Sequence, residues 1–419
     1  MYDINNINNY FNNKITEKPV LFDGNILGKG SFGNVYIALD NNNNKIALKV
    51  EQIKDENGNK KTKQLTLLKE FKVCLKFYVI SIKLKKILMY ENLKNKNSKH
   101  LKNNKEYNKL SENIKKLDED DNVKIYNYIT EKNLLVVPKE LDMNYMLTHN
   151  CIAQTYSFYS CEDYNFLTMK LYGKNLEYIT DNYYLTEKAK YFLAYKLLHS
   201  MSCIHRCGII HRDIKLANFV LNDDCDVSDK NKLKTLYPTI IDLGLSTNYY
   251  KYEDCSINHI PVKKTDKLTG TIRYISLNIH SHNSPTIIDD LISMCYSLIV
   301  ICTNKSLPWM GHLKDDIQFD KTHHTDTNCK CNYHKNVAKN KTKHRNTIAE
   351  VKYHTPYDKL TGNYTFLAKW LKYLYSLKCK QMPSYDYLLK ILKNDVENNT
   401  NLLHVENLHF DILRKKQKV

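Results

Sequence analysis

The chain has 419 residues, 42% of them hydrophobic, which is enough for one large or two ordinary domains around a substantial core. Lysine and arginine number 63 against 45 aspartates and glutamates, a formal charge of +18. That surplus favours acidic partners, although much of it lies in low-complexity stretches that read as solvated surface. The 12 cysteines are scattered, without the compact framework of a small secreted domain, and fit a reducing intracellular compartment. The N-terminus has neither the basic flank nor the apolar core of a signal peptide. The longest apolar run, Leu291 to Cys302, is too short to span a bilayer.

Residues 1–20 are Asn-rich and read as a flexible segment. From Leu21 to Val50 the pattern is strand, Gly-rich turn, strand, Asn-rich turn, strand, with Asn41 to Asn44 forming the second turn. Residues 54–134 are dominated by Lys and Asn, and the apolar piece from Val73 to Tyr90 is repeatedly broken by lysine. This stretch reads as an insertion, partly helical and partly disordered, whose removal should leave the rest of the chain intact. Helical spacing resumes over Lys139 to Leu147, through Leu141, Met143, Met146 and Leu147. Two strands follow, Ile152 to Tyr159 and Tyr164 to Leu171. Helices are predicted over Thr186 to Ile204, Leu291 to Ile301 and Phe366 to Leu377. A second polar insertion covers about 314–342, and a basic tail closes the chain.

The segment His211-Arg-Asp213-Ile-Lys215-Leu-Ala-Asn218 carries the most chemistry. Its Asp can accept a hydroxyl proton, its Lys can neutralise a moving phosphoryl group, and its Asn can hold a metal ion. Gly28-Lys29-Gly30-Ser31-Phe32-Gly33-Asn34-Val35 lies between two strands, where glycines let backbone amides lie flat over phosphates. A dinucleotide-binding turn would instead lead into a helix. Lys49 closes the strand segment Ile46-Ala47-Leu48-Lys49 and can reach phosphates if a carboxylate fixes it. Glu70 and Glu140 are both candidates. Glu140 is preferred because its helical context leads through His149 directly into the next strand. Ile240-Ile241-Asp242-Leu243-Gly244 is an apolar strand ending in an acid and a glycine, suited to holding magnesium against phosphates.

These motifs resemble those of eukaryotic protein kinases, and within them the casein kinase 1 family. The discriminating residues are Leu268-Thr-Gly-Thr-Ile-Arg273-Tyr-Ile-Ser276-Leu-Asn278, Asp289-Asp290-Leu291, Ser306-Leu-Pro-Trp309-Met-Gly311, Asp163-Tyr164-Asn165 and Pro383-Ser-Tyr385-Asp-Tyr387-Leu388. The resemblance covers about 21–53 and 135–395, apart from the insertion near 314–342. It implies a bilobal α+β fold, with an N-lobe over 21–172, a C-lobe over 173–395 and a tail over 396–419. It also implies a Ser/Thr kinase using ATP and Mg2+, acting on acidic or phosphorylated protein segments, with no need for activation-loop phosphorylation. Met169 would back the adenine site, Lys170, Leu171 and Tyr172 would form the hinge, and Ala47 and Val220 would enclose the ring. Arg273 and Gly311 match positions that bind an anion beside the substrate, with Lys341, Lys343, His344 or Arg345 as the open third contact. Thr247 and Asn248 stand where the family usually has two lysines, which should weaken a second anion pocket near Arg212. Leu243 and Leu216 replace the usual Phe and Pro. A monomer in the cytoplasm or nucleus is expected, with no membrane and no nucleic-acid partner. The rival readings are a catalytically weak scaffold and a basic nucleic-acid-binding protein.

Overall fold

The computed structural model describes residues 21–30, 33–40, 42–54, 66–96, 105–131, 152–161, 163–223, 229–253, 256–313, 347–378, 381–400 and 404–416. Its N-terminal lobe is a five-stranded antiparallel sheet. The strands are β1 (Leu21–Gly30), β2 (Gly33–Leu39), β3 (Lys45–Gln52), β4 (Thr155–Ser160) and β5 (Tyr164–Lys170), in the order β1-β2-β3-β5-β4. Side chains alternate across a strand, so β3 serves two clusters. Ile46, Leu48 and Val50 join Tyr36, Ala38 and Phe166 on one face. Ala47 joins Leu67, Leu167 and Met169 on the other, where Lys49 and Glu51 also point. The β3–β5 register sets Ala47 opposite Met169 and Lys49 opposite Leu167.

Helix α1 (Thr66–Lys96) begins at the inner face of this sheet. Its start is fixed by Glu51, whose carboxylate accepts from the backbone N–H of Thr66 at 3.0 Å, from the Thr66 hydroxyl, and from Asn165 Nδ2 at 3.0 Å. A carboxylate at a helix N-terminus satisfies orphan donors and opposes the positive end of the helix dipole. Here it also ties the helix to a residue two places along the strand from Lys49.

The region expected to be an insertion therefore contains a main element of the fold. Helices α2 (Lys105–Asp118) and α3 (Asp121–Glu131) follow α1. Leu67 of α1 packs in the sheet's inner cluster. Cys74, Phe77, Ile80 and Leu84, together with Val123, Ile125 and Tyr126 of α3, belong instead to the hydrophobic cluster of the C-terminal lobe. Spacings of three and four residues put these positions on one helix face. The lysines that obscured this face in the sequence are accommodated. Lys76 and Lys83 are buried, and Lys83 Nζ bridges Asp118 Oδ1 (2.5 Å) and Asn127 Oδ1 (2.8 Å), joining α1 to α2 and α3. The helix expected at Lys139 to Leu147 lies outside the described residues.

The C-terminal lobe is mostly helical, built on α4 (Leu176–Asn182), α5 (Glu187–Arg206), α6 (Ile287–Thr303), α7 (Thr365–Ser376) and α8 (Tyr385–Thr400). The Thr186 side chain caps α5 by accepting from Ala189 N, and Thr286 with Asp289 forms a capping box on α6. Trp309 and Trp370 are fully buried and donate their indole N–H groups to Arg273 O and Leu388 O. Strand β6 (Tyr183–Leu185) follows α4, and short two-stranded pairings follow at the junction of the lobes: β7 (Ile209–Ile210) with β10 (Thr247–Asn248), and β8 (Phe219–Leu221) with β9 (Pro238–Ile240). The fold is the bilobal α+β arrangement that the sequence implied. No helix among the described residues is long and apolar enough to cross a membrane.

Candidate active site

Lys49 stands at the junction of the lobes. Its Nζ lies 2.8 Å from Glu70 Oε2 and 2.6 Å from Asp242 Oδ1. The carboxylate partner is thus Glu70 of α1. The preference for Glu140 is corrected on this point, and Glu140 itself lies outside the described residues. The reason is geometric. Glu51 pins the first turn of α1 beside Lys49, and Glu70 follows Thr66 by four residues, about one helical turn. Leu67 and Phe71 flank Glu70 in the inner cluster and hold that turn in place. Burial disfavours the Lys49 ammonium, but the two carboxylates outweigh it and hold its pKa above the ordinary lysine value. Burial raises the Glu70 pKa against the pull of Lys49, and Glu70 also accepts from the backbone of Leu243. Burial likewise works against the Asp242 carboxylate, but Lys49 prevails and lowers its pKa.

Asp242 has left-handed backbone angles (φ 66°, ψ 59°), rare outside glycine, and these begin the short turn Leu243–Leu245. Leu243, standing where a phenylalanine was expected, is buried in the C-lobe cluster. Arg212 is also left-handed (φ 71°) and is held by Asp290 of α6, which accepts from His211 N (2.6 Å) and Arg212 N (2.9 Å). His205 Nε2 lies 3.2 Å from the same carboxylate. In the sequence Asp290 stands out only within the Asp289-Asp290-Leu291 segment that carries the resemblance. Its role as the anchor of the 211–218 loop appears only once α6 packs beneath that loop.

The loop brings together the residues that the sequence singled out. Asn218 Nδ2 donates to Asp213 O at 2.9 Å and lies 3.3 Å from Asp213 Oδ2. Lys215 Nζ is 2.8 Å from Asp213 Oδ2. Thr271 donates its hydroxyl to Asp213 Oδ1 at 2.7 Å and lies 3.2 Å from Lys215 Nζ. Thr271 was not among the candidate residues, and its position inside Leu268-Thr-Gly-Thr was the available signal. Gly270 explains how this segment comes so close: with φ 98°, a Cβ there would meet Arg212 O at 2.5 Å.

The cleft walls come from both lobes. Gly28 and Gly30 end β1 and Gly33 opens β2, with Gly30 paired to Gly33. A Cβ on Gly33 would meet Val50 O at 1.9 Å, so this turn requires glycine for its close approach to β3. Lys29 lies in β1 and Ser31 outside the described residues. Val35 and Leu171 pack on the cluster of Ala47 and Met169. Val220 lies in β8, and its neighbour Leu221 exchanges backbone hydrogen bonds with the segment after β5, through Gly173 N to Leu221 O (2.9 Å) and Leu221 N to Lys174 O (3.0 Å). Farther along, Trp309 Nε1 donates to Arg273 O at 2.7 Å, which sets the turn Pro308–Leu313, containing Gly311, against the Arg273 backbone. Lys341, Lys343, His344 and Arg345 lie outside the described residues.

Asp242 keeps 22% of its side chain exposed. Asn218, with its amide nitrogen turned toward Asp213, leaves its oxygen for a cation. One carboxylate and one amide oxygen suit a hard divalent ion completed by phosphate oxygens. The site thus has a buried lysine between two acids, and a carboxylate held by a threonine, a lysine and an asparagine, with Gly33 of the glycine turn packed close against β3. Comparison with protein-family models matches residues 101–373 to the protein kinase domain, while β1–β3 and α1, which supply Lys49 and Glu70, precede the match. With more than half of the chain matched, this protein belongs to the protein kinase family.

Proposed function

We propose that the chain is an active Ser/Thr kinase of the casein kinase 1 kind, transferring the γ-phosphoryl group of ATP to hydroxyls of acidic or phosphorylated protein segments. The closed Lys49–Glu70 pair, in the same structure as an Asp213 already oriented by Thr271, Lys215 and Asn218, carries the reading of activity. Lys49 would position the α- and β-phosphates, Asp213 would orient the substrate hydroxyl and accept its proton, and Lys215 would stabilise the transferred charge. Asn218 and Asp242 would hold Mg2+, which when bound neutralises charge on the phosphates. A catalytically weak scaffold is disfavoured, because none of these five side chains is replaced or displaced.

Preference for anionic substrates is supported by Arg273. Its carbonyl is held by Trp309, and the flanking carbonyls of Ile272 and Ile275 accept from the buried Lys352 at 2.8 and 2.7 Å. The guanidinium forms no ion pair among the described residues. A rigid backbone carrying a guanidinium without an ion-pair partner among the described residues suits a phosphate or carboxylate from a substrate. The test is kcat/KM for matched primed, acidic and neutral peptides with Mg-ATP. Wild type should prefer the anionic peptides, with the preference shrinking as salt rises. Arg273→Ala should lose activity on the anionic peptides far more than on the neutral one. Equal losses on all three would assign Arg273 to structure, and no transfer to any of them would remove the reading of activity.

A further inference from the structure

Helix α1 is anchored in both lobes. Its first turn lies in the sheet's inner cluster around Glu70, and the face through Cys74, Phe77, Ile80 and Leu84 lies in the cluster of the C-terminal lobe. On this helix Lys76 is nearly fully buried, and its Nζ donates to Asn248 Oδ1 at 3.1 Å. Asn248 is six residues beyond Asp242 and lies in β10, where it pairs with Ile209 of β7. It therefore belongs to the segment that sets Asp242 and is itself fixed to the C-terminal lobe. Helix α3 adds a second tie. Arg206, at the end of α5, donates to the Tyr126 hydroxyl at 3.3 Å, with its guanidinium 5.7 Å from the ring centre. Lys83, Asp118 and Asn127 then bind α3 back to α1.

We propose that Lys76 is a positioning residue for phosphoryl transfer: by linking α1 to Asn248, it makes the helix that carries Glu70 and the segment that carries Asp242 move as one body. Lys49 contacts both acids, so its ammonium is placed only if the two elements keep a fixed separation. The Lys76–Asn248 bond spans the same two elements at a second place, six residues beyond Glu70 on one and six beyond Asp242 on the other, and α3 holds α1 against α5 while it does so. Lys76 takes no part in the chemistry and touches none of the residues assigned to it. Burying an ammonium is unfavourable, and here burial lowers its pKa to about 8. A methionine of similar length would fill this place without that penalty, so the lysine is explained by what it holds.

This inference rests on the chain being an active kinase, so wild-type transfer to an acidic peptide is the control. Lys76→Met in the full chain should lower kcat about tenfold through misplacement of Lys49 and Asp242. KM for the peptide should change little. The melting temperature should stay level or rise, because a buried charge is removed. Amide exchange over residues 245–253 should quicken, and Lys76→Arg should recover most of the rate. Asn248→Ala, at an exposed residue, removes the same bond and should reproduce the loss of kcat if Lys76→Met folds poorly. A wild-type kcat in both variants, or a fall in kcat that follows a fall in melting temperature with exchange over 245–253 unchanged, overturns the proposal. Absent transfer by wild type would reject the reading of activity, whereas the exchange result still reports on the link.

Discussion

The Asp213–Asn218 loop and helix α1 each place a lysine 2.8 Å from a carboxylate, yet they differ in how far apart the partners lie in the chain. Lys215 and Asp213 are two residues apart on one extended turn. Lys49 and Glu70 are 21 residues apart, on a strand and a helix joined through residues 55–65. In the loop, backbone geometry delivers both side chains to one place, so residue types at fixed spacing suffice to read it. For Lys49, any glutamate on a helix able to dock at the sheet would satisfy the same spacing argument. Only the capping of α1 by Glu51 and the packing of Leu67 and Phe71 select Glu70. Local pairs are legible from a motif, and distant pairs are decided by docking.

The largest effect should come from the local side of this contrast. Asp213→Asn removes the proposed base and should cost at least about a hundredfold in kcat. Its melting temperature should match wild type, since Asn keeps the shape and can still accept from Thr271. Steady-state kinetics on an acidic peptide beside a thermal melt would check this, and wild-type turnover would break the assignment of the loop.

A smaller loss should separate the two glutamates. Glu70→Gln leaves Lys49 with Asp242 as its one remaining charged partner among the described residues, and should lower kcat/KM about tenfold or more, in line with the loss of one preorganised charge contact. Glu140→Gln should cost far less. Kinetics of the two variants side by side give the ranking, and the reverse order would return the Lys49 partner to Glu140.

The mildest effect on catalysis, but a clear one on stability, should follow from Tyr126→Ala. Tyr126 is buried in the C-lobe cluster with Arg206 against it. Its truncation should destabilise by about 3 kcal/mol through lost burial and a cavity. Urea unfolding measures this. No change in stability would mean that α3 rests on the C-terminal lobe without contributing to it, and that residues 105–131 are as dispensable as their composition suggested.

Much of the architecture is legible in the sequence. The strand-and-turn pattern over β1 to β3, including the glycine turn, and the apolar faces of α5, α6 and α7 each follow from short-range signals. The predicted helix over Leu291 to Ile301 lies inside Ile287–Thr303, and the one over Phe366 to Leu377 nearly coincides with Thr365–Ser376. The docking of helix α1 into the fold is hidden from the sequence because lysines at 69, 72, 76, 83, 85 and 86 interrupt its apolar face, and a lysine-broken run resembles filler. A lysine can bury its aliphatic stem and still place its ammonium on an acceptor, as Lys76 and Lys83 do. A hydropathy pattern counts such residues as surface.

The sequence by itself thus determined what depends on neighbours within a few positions: the strands, the glycine turn, the Asp213-to-Asn218 loop and the Asp242 turn. The tertiary structure alone decided which glutamate meets Lys49, that α1 spans both lobes, that Asp290 and Thr271 brace the Asp213–Asn218 loop, and that Lys76 reaches Asn248. The physical reason is that a residue's type limits the bonds it can make. Which partner arrives, from 21 or from 172 residues away, is set by how whole elements exclude water together.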